Sequence, residues 1–303
     1  MQVTITGGTG LIGRALARRL LELGHRVRLT GRRQPSDLEP AVSFTAWDAS
    51  SGPPPAEAVE SADAIVHLAG ESVAQRWTAE AKARIRASRI EGTQRLVQAL
   101  AAATRRPATL VSASAIGIYG DRGDEWLDES SSPGEGFLAD LARDWEQAAA
   151  GARALGVRVV LVRIGIVLDA RGGALRRMLT PFRFGLGARL GSGRQWMSWI
   201  HIADLVELMA FALQNARVDG PVNAVAPNPV TNAEFTRALA RTLRRPALLR
   251  VPAFLLRTGL GEMAAVLLAS QRVRPAAAIS AGFAFRFPEL EGALSDLLAP
   301  PPR

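Results

Sequence analysis

A doubly wound α/β fold of the Rossmann type, with a mostly parallel sheet and a smaller C-terminal lobe, is predicted by three observations. A short apolar strand at the N-terminus runs straight into a glycine turn and an amphipathic helix. Strand-like and helical stretches then alternate as far as residue 168, the pattern of a parallel sheet wrapped by helices. The chain has 303 residues, 48% of them hydrophobic, enough for one large core plus a second, smaller one. The 28 glycines and 18 prolines follow no period, so collagenous, fibrous and disordered chains are excluded.

Residues 2–6 (QVTIT) read as a buried strand, residues 7–13 (GGTGLIG) as a tight turn, and residues 11–23 as a helix closed by Gly24. Gly7 can turn the chain with positive φ, Gly10 lets the backbone approach a pyrophosphate, and Gly13 permits close packing of helix on strand. The first helical amides, at Leu11, Ile12 and Gly13, then face the negative charge. This is the arrangement of a dinucleotide site. A second strand, residues 26–31, ends in Gly31-Arg32-Arg33 with no acid before Asp37. A carboxylate here would suit the ribose diol of NAD(H), whereas two guanidiniums suit a 2′-phosphate, so NADP(H) is preferred over NAD(H). The alternative is a solvated basic turn.

Further strands are predicted over residues 42–47, 64–70, 108–114 and 158–168, and helices near 78–103 and 137–155. Ligand groups in such a sheet collect at the C-terminal strand ends. That position singles out Asp48, the turn Leu68-Ala69-Gly70-Glu71, Ser112 to Ser114, and Arg163 as cofactor-binding candidates. His67 reads as a core histidine of its strand. With no cysteine and only three scattered histidines, neither a metal site nor a disulfide is expected.

Charge is divided unevenly. Residues 1–150 hold 17 basic and 19 acidic side chains, net −2, and residues 151–303 hold 20 basic and nine acidic, net +11. The basic half calls for an anionic partner, which composition alone leaves open among nucleic acid, an acidic surface and a phosphorylated metabolite. No run approaches the length of a membrane helix and Met1 leads directly into the first strand, so a cytoplasmic protein without a membrane partner is expected.

The chain resembles the extended short-chain dehydrogenase/reductases, the superfamily that includes nucleotide-sugar epimerases. The motifs GGTGLIG (7–13), HLAG (67–70), RIEGT (89–93), SASAIGIYG (112–120) and WIHIADL (199–205) carry the likeness, in order, over most of residues 1–226. More narrowly it is similar to an "epimerase family" group with a distinctive C-terminal domain, through RW (76–77), SRIEGT (88–93), GSGRQWMSWIHIADL (191–205), APNPVTNAEF (226–235) and segments within 248–298. The resemblance implies a Ser or Thr after the fifth strand, matched by Ser114, and a Tyr and Lys four residues apart on the next helix. That pair is absent: the helix reads FLADLARDWEQAA, the one lysine is Lys82 and the one tyrosine Tyr119. A phenolate assisted by an ammonium normally exchanges the proton as hydride moves. In its place Ser114 would bond the substrate oxygen, Arg89 or Lys82 would stabilise negative charge, and Tyr119 or Glu71 would relay the proton. Arg89 and Glu71 also stand where the cofactor would lie. Tyr119 reads equally as an anchoring aromatic, and Lys82 as a solvated helix residue.

The nucleotide-binding domain is assigned to residues 1–226, with about 171–200 contributing to the substrate lobe, and residues 227–303 to a mainly helical C-terminal domain. Arg171, Arg176, Arg177, Arg183, Arg189 and Arg194 fall in an acid-free window rich in glycine, either an anion-binding loop or a solvated basic face. His201 and Asp204 read as structural, with Asp204 capping a helix, and Trp196 and Trp199 as pocket walls. Pro252 and Pro275 start short helices, residues 300–302 form a frayed end, and the apolar pattern between them suits either a cap over the core or a homodimer surface. Together these expectations describe an NADP(H)-dependent oxidoreductase or epimerase-like enzyme for an anionic small molecule, a sugar nucleotide being one candidate. The alternative is a non-catalytic NADP(H) sensor, and no nucleic-acid partner is expected.

Overall fold

In the computed structural model, residues 1–299 are described, and the proline run at 300–302 lies outside them. In chain order the main elements are β1 (Gln2–Thr6), α1 (Leu11–Glu22), β2 (Arg26–Gly31), β3 (Val42–Ala46), β4 (Ala64–His67), α2 (Ala79–Ala102), β5 (Thr109–Ala115), α3 (Phe137–Ala150), β6 (Arg158–Ile164), α4 (Gly173–Arg183), α5 (Ile202–Gln214), β7 (Gly220–Ala224), α6 (Asn232–Leu243), α7 (Ala253–Leu260) and α8 (Leu290–Leu298). The seven strands form one sheet in the order β7-β6-β5-β4-β1-β2-β3, every pairing parallel. The chain runs from β1 outward through β2 to β3 on one side and then crosses back to β4 on the other, so the crevice between β1 and β4 is the topological switch point of a Rossmann-like sheet.

Strand periodicity divides the core. Val3, Ile5, Val66, Val111, Val160 and Val162 face α1 and α5, meeting Leu16, Leu20, Leu205, Leu208 and Met209. Ile65, Leu110, Val159 and Leu161 face α2 and α3, meeting Leu96, Leu100 and Ala149. Each fully buried leucine contributes about 1.5–3 kcal/mol, so both helix layers are held by burial and not by propensity.

Two departures from the sequence expectation have local causes. The strand expected over 158–168 breaks at Gly165, where a Cβ would sit 2.6 Å from the Ser198 carbonyl oxygen, and Ile166–Asp169 leaves the sheet to pair with Trp199–His201. Residues 220–224 form a strand that their sequence, GPVNA, conceals. Being at the sheet edge, it tolerates Pro221, which has no N–H to offer.

The C-terminal lobe has its own core of Leu175, Leu179 and Phe182 from α4, Phe235 and Leu239 from α6, Leu290 and Leu294 from α8, and Trp199 from the short strand Trp199–His201. Trp199 is therefore fully buried, its indole N–H donating to the Asn228 carbonyl at 3.2 Å, and is not a pocket wall. Trp196 instead lies against the Arg272 guanidinium, 4.1 Å from the ring centre. A capping box closes the start of α6, the Thr231 hydroxyl accepting from the Glu234 amide while Glu234 accepts from the Thr231 amide. At the start of α5 the cap is His201, whose Nδ1 accepts from the Ala203 amide at 3.0 Å. Asp204, expected to be that cap, does something else: its carboxylate accepts from the amides of Arg286 and Phe287, both at 2.9 Å, and ties the C-terminal segment to α5, the helix packed on the main sheet. Among the described residues no helix is long and apolar enough to cross a membrane.

Asp204 is buried, so truncation removes two charge-assisted bonds from amides that lose water as well. Asp204→Ala is expected to cost about 2–3 kcal/mol in urea unfolding and to speed proteolysis near residue 286, with Asp204→Asn intermediate. Unchanged proteolysis would show that the segment is held elsewhere.

Candidate functional site

The crevice is built by backbone that only glycine allows. Gly7 has φ +64°, and a Cβ there would lie 2.8 Å from the backbone of Leu68 and Ala69, so the loops after β1 and β4 are in direct contact. A Cβ on Gly13 would lie 2.6–2.8 Å from the backbone of Gly8, which lets α1 settle onto the turn. The Gly8 amide donates to the Thr30 carbonyl, and the Leu68 amide to that of Thr6, fastening both loops to the strand ends. No side chain caps α1 at Gly10 and no acid stands in its first turn. The amides of Leu11, Ile12 and Gly13 therefore present the positive end of the helix to the crevice, as a pyrophosphate requires. The Leu11 side chain packs on Gly172 and Gly173 at the start of α4, and Ile12 packs into the core.

Arg32 and Arg33 follow β2 and are exposed, with no carboxylate within ion-pair distance of either among the described residues. Thr9 lies against Gly31, which brings the glycine turn and this basic end together. Arg32 acts electrostatically on both Asp48 and Glu71. The Asp48 carboxylate receives the Ser50 hydroxyl (2.7 Å) and amide (2.9 Å), bonds that hold it below the ordinary carboxylate range.

Past Gly70, Glu71 is fixed from α2. Its amide donates to the Ser88 hydroxyl at 3.0 Å, its carbonyl accepts from Arg89 Nη1 at 2.8 Å, and its carboxylate accepts from Gln75 (2.9 Å) and Arg84 (3.2 Å). These bonds, that from Gln75 foremost, lower its pKa and keep it ionised. Arg89 lies against Gly70 and over the Trp145 ring, and burial pushes its pKa down to about 10.

Beneath this mouth the residues expected at the strand ends turn inward. Ser112, Ser114, Tyr119 and Arg163 are all buried. The Arg163 guanidinium donates twice to Glu146 (2.8 and 2.9 Å) and once to the Tyr119 hydroxyl (2.9 Å), while Ser114 donates to Glu146 at 2.6 Å and Tyr119 to Asn223 Oδ1 at 2.8 Å. Burial works against the charge on Arg163, but the Glu146 bonds outweigh it and raise its pKa. Arg163 is thus a correction to the cofactor set, its donors consumed inside the protein. Ser112 likewise exposes no oxygen to a ligand, and neither Ser114 nor Tyr119 holds a free one at the crevice. Burial raises the Tyr119 pKa, making its phenolate harder to form. Lys82 is drawn off by an ion pair with Glu262 and stands 5.4 Å over the Phe137 ring. Of the five residues expected in catalysis, only Glu71 and Arg89 are brought together at the crevice.

Sequence reasoning missed Glu146, Asn223, Thr93 and Trp145. The last two complete a buried chain in which Thr6 Oγ1 lies 2.6 Å from His67 Nδ1, His67 Nε2 lies 2.9 Å from Thr93 Oγ1, and the Trp145 indole donates to that same hydroxyl. Burial, with Arg89 nearby, pushes the His67 pKa down to about 4, so the ring is neutral.

A family model described as NAD dependent epimerase/dehydratase matches residues 3–225, and a domain of unknown function, DUF1731, matches residues 251–297. Epimerase family protein YfhF of Bacillus subtilis is 37% identical over 300 residues, covering 99% of this chain and 98% of that one. Epimerase family protein Mb2239 of Mycobacterium bovis is 46% identical over 285 residues, covering 93% of each. The crystal structure of human epimerase family protein SDR39U1 with NADPH superposes with a TM-score of 0.87 at 36% identity, over 98% of this chain and 99% of that one.

Two outcomes follow from the buried networks. Because the folded His67 binds a proton only near pH 4 and the unfolded ring near 6.5, stability is complete above about pH 6.5 and declines as pH falls toward 4. The loss attributable to His67 is about 3 kcal/mol, and a His67→Gln variant should lack that component in denaturant titrations at pH 7.5 and 4.5. Arg163→Met strands the Glu146 carboxylate and should cost about 3–5 kcal/mol, most of it recovered in the Arg163→Met/Glu146→Leu double variant. A double variant no more stable than the single one would contradict the pairing.

Proposed function

We propose, since the chain belongs to the NAD dependent epimerase/dehydratase family, that it is an NADP(H)-dependent oxidoreductase or epimerase-like enzyme acting on a hydroxyl or carbonyl of an anionic small molecule. The observation that carries the cofactor reading is the pair Arg32 and Arg33, exposed and free of carboxylate partners among the described residues, beside an uncapped helix N-terminus. The human relative crystallised with NADPH supports the same reading. When bound, the dinucleotide supplies the hydride donor or acceptor of the reaction. The glycine turn and the amides of α1 hold the pyrophosphate, and the two arginines select the 2′-phosphate.

For the substrate, Glu71 is the ionised group available to take or return a proton, and Arg89 beside it stabilises negative charge. Arg176 and Arg177, on the first turns of α4, sit near the crevice. Arg177 Nη1 donates to the Ala74 carbonyl in the loop after β4, at 3.3 Å, and neither arginine has a carboxylate partner among the described residues. They are the groups that would meet a phosphate or carboxylate, and a sugar nucleotide is one such substrate. A second reading, an NADP(H) sensor without turnover, is favoured by the sealing of Ser114 and Tyr119 away from the crevice.

Equilibrium titration with NADPH and NADH tests the cofactor. Arg32→Ser/Arg33→Ser is expected to weaken NADPH about tenfold or more while changing NADH little, since each lost charge-assisted bond contributes about 1.5–3 kcal/mol. An unaltered NADPH to NADH ratio in the variant would falsify the assignment. Incubating the purified protein with a panel of anionic carbonyl compounds plus NADPH, and of sugar nucleotides plus NADP, separates the readings: Glu71-dependent cofactor oxidation or Glu71-dependent isomerisation of the substrate without net cofactor change supports the enzyme, and tight cofactor binding with neither supports the sensor.

A further inference from the structure

Two acid-free stretches, residues 170–203 and 235–261, hold six arginines each. They pack together because Ala188–Leu190 pairs in parallel with Leu249–Val251, and because Gly185 and Gly187 lie against Pro246 and Ala247. Of the twelve arginines only Arg171 and Arg241 have a carboxylate partner among the described residues. Arg237, Arg241, Arg244 and Arg245 surround an open hollow of about 430 Å³.

Beside this hollow the chain exposes large apolar side chains that no core receives. Leu248 is 90% exposed, Phe184 77%, Phe254 64%, Leu186 58%, Leu255 51% and Leu249 50%. Phe184 and Leu186 stand in the turn that follows α4, next to Pro246, and Phe254 and Leu255 on α7, which has no buried residue. This is a protruding apolar tip within a basic rim, an unusual feature for an isolated surface.

We propose that this face is a docking site for an anionic lipid bilayer surface, the apolar tip entering the acyl boundary while the arginines meet lipid phosphates. Charge argues for this occupant. A two-fold contact with a second copy would set one basic rim against the other. The apolar residues stand on turns and on a helix without a buried residue, and the hollow beside them is walled by arginines, which suits phosphates better than a protein's apolar anchoring side chains. A fluid surface accepts such protrusions, and the basic rim, where Arg241 alone of the four arginines around the hollow pairs with a carboxylate among the described residues, supplies the second signal that stable surface attachment needs.

Co-sedimentation of the full chain with vesicles tests this. Binding to phosphatidylcholine vesicles carrying about 30% phosphatidylglycerol should exceed binding to pure phosphatidylcholine by about tenfold or more, and should fall as salt is raised. Leu248→Glu/Phe254→Glu should reduce it at least about tenfold, and Arg244→Ser/Arg245→Ser should weaken it as well. Both variants alter exposed residues, so melting temperature and NADPH affinity should be unchanged, and these readouts separate lost docking from lost folding. Equal sedimentation with both compositions, or with neither, overturns the proposal. So does a concentration-dependent doubling of mass that Leu248→Glu/Phe254→Glu abolishes, which would make a second copy the occupant.

Discussion

The contact on which the rest of the site depends is that of Gly7 with the Leu68–Ala69 backbone. At 2.8 Å for a would-be Cβ, two loops from neighbouring strands touch with no side chain between them. That contact fixes the crevice at the switch point, since β1 and β4 are adjacent while α1 and α2 lie on opposite faces. With Gly13 seated on Gly8, the amides of α1 open onto the same point where Arg89 and Ser88 of α2 hold Glu71. Any Cβ at Gly7 would have to be absorbed by spreading β1 from β4. The helix amides and the Glu71 turn would then no longer face one ligand. The crevice is thus a property of backbone packing first and of side-chain chemistry second.

Immediately below, one face of the sheet is polar at its C-terminal end. Thr6, His67, Ser112, Ser114, Arg163 and Asn223 follow the alternation of Ile65, Leu110 and Leu161, so their side chains enter the layer between the sheet and helices α2 and α3. A layer of that kind must satisfy each polar group internally. Glu146 accepts from Ser114 and from Arg163, Arg163 reaches Tyr119, and Tyr119 reaches Asn223. Once a carboxylate is buried at position 146, a cation must accompany it, and Arg163 is that cation. The residues that a dehydrogenase of this superfamily would be expected to use are therefore committed to one another. At the crevice, the candidate groups left outside this network are those at its mouth, Glu71 and Arg89.

The fold was legible because its signals are local. The run from residue 2 to residue 31 contains its own strand, turn, helix and strand, and each is stabilised by neighbours in sequence. The seventh strand was not legible: Pro221 and Asn223 break the apolar pattern, and GPVNA is a strand only because β6 offers an edge. At the site, Gly7, Gly13, Arg32 and Glu71 could be placed from strand and turn alone. Ser114 and Arg163 could be placed at strand ends but not on a face, because both faces of a parallel sheet are buried and parity carries little contrast. Glu146 was hidden for a different reason. Its helix reads as an ordinary amphipathic segment, and its partner lies 17 residues away, on strand β6 beneath that helix. Asp204 shows the same limit: its position predicts a cap, yet its two acceptor bonds go 82 and 83 residues further along the chain.

The uneven charge acquires a spatial meaning through α4. Its eleven residues span about 16 Å. At one end Gly172 and Gly173 rest on Leu11, at the start of the cofactor helix, and Arg177 reaches the loop after β4. At the other end lie Arg183 and the exposed Phe184 and Leu186. One rigid element thus connects the dinucleotide crevice with the basic, apolar-tipped face. Its middle is locked by Leu175, Leu179 and Phe182 in the C-terminal core, so it can shift only as a unit with that core. A ligand that orders the first turn of α4 and a surface that holds its last turn both act on the same body. If one position of that body suits both, each binding event favours the other by the same free energy. Under the two readings proposed above the arginines divide accordingly: those near the first turn would meet a small anion at the crevice, and those beyond the last turn an extended anionic surface.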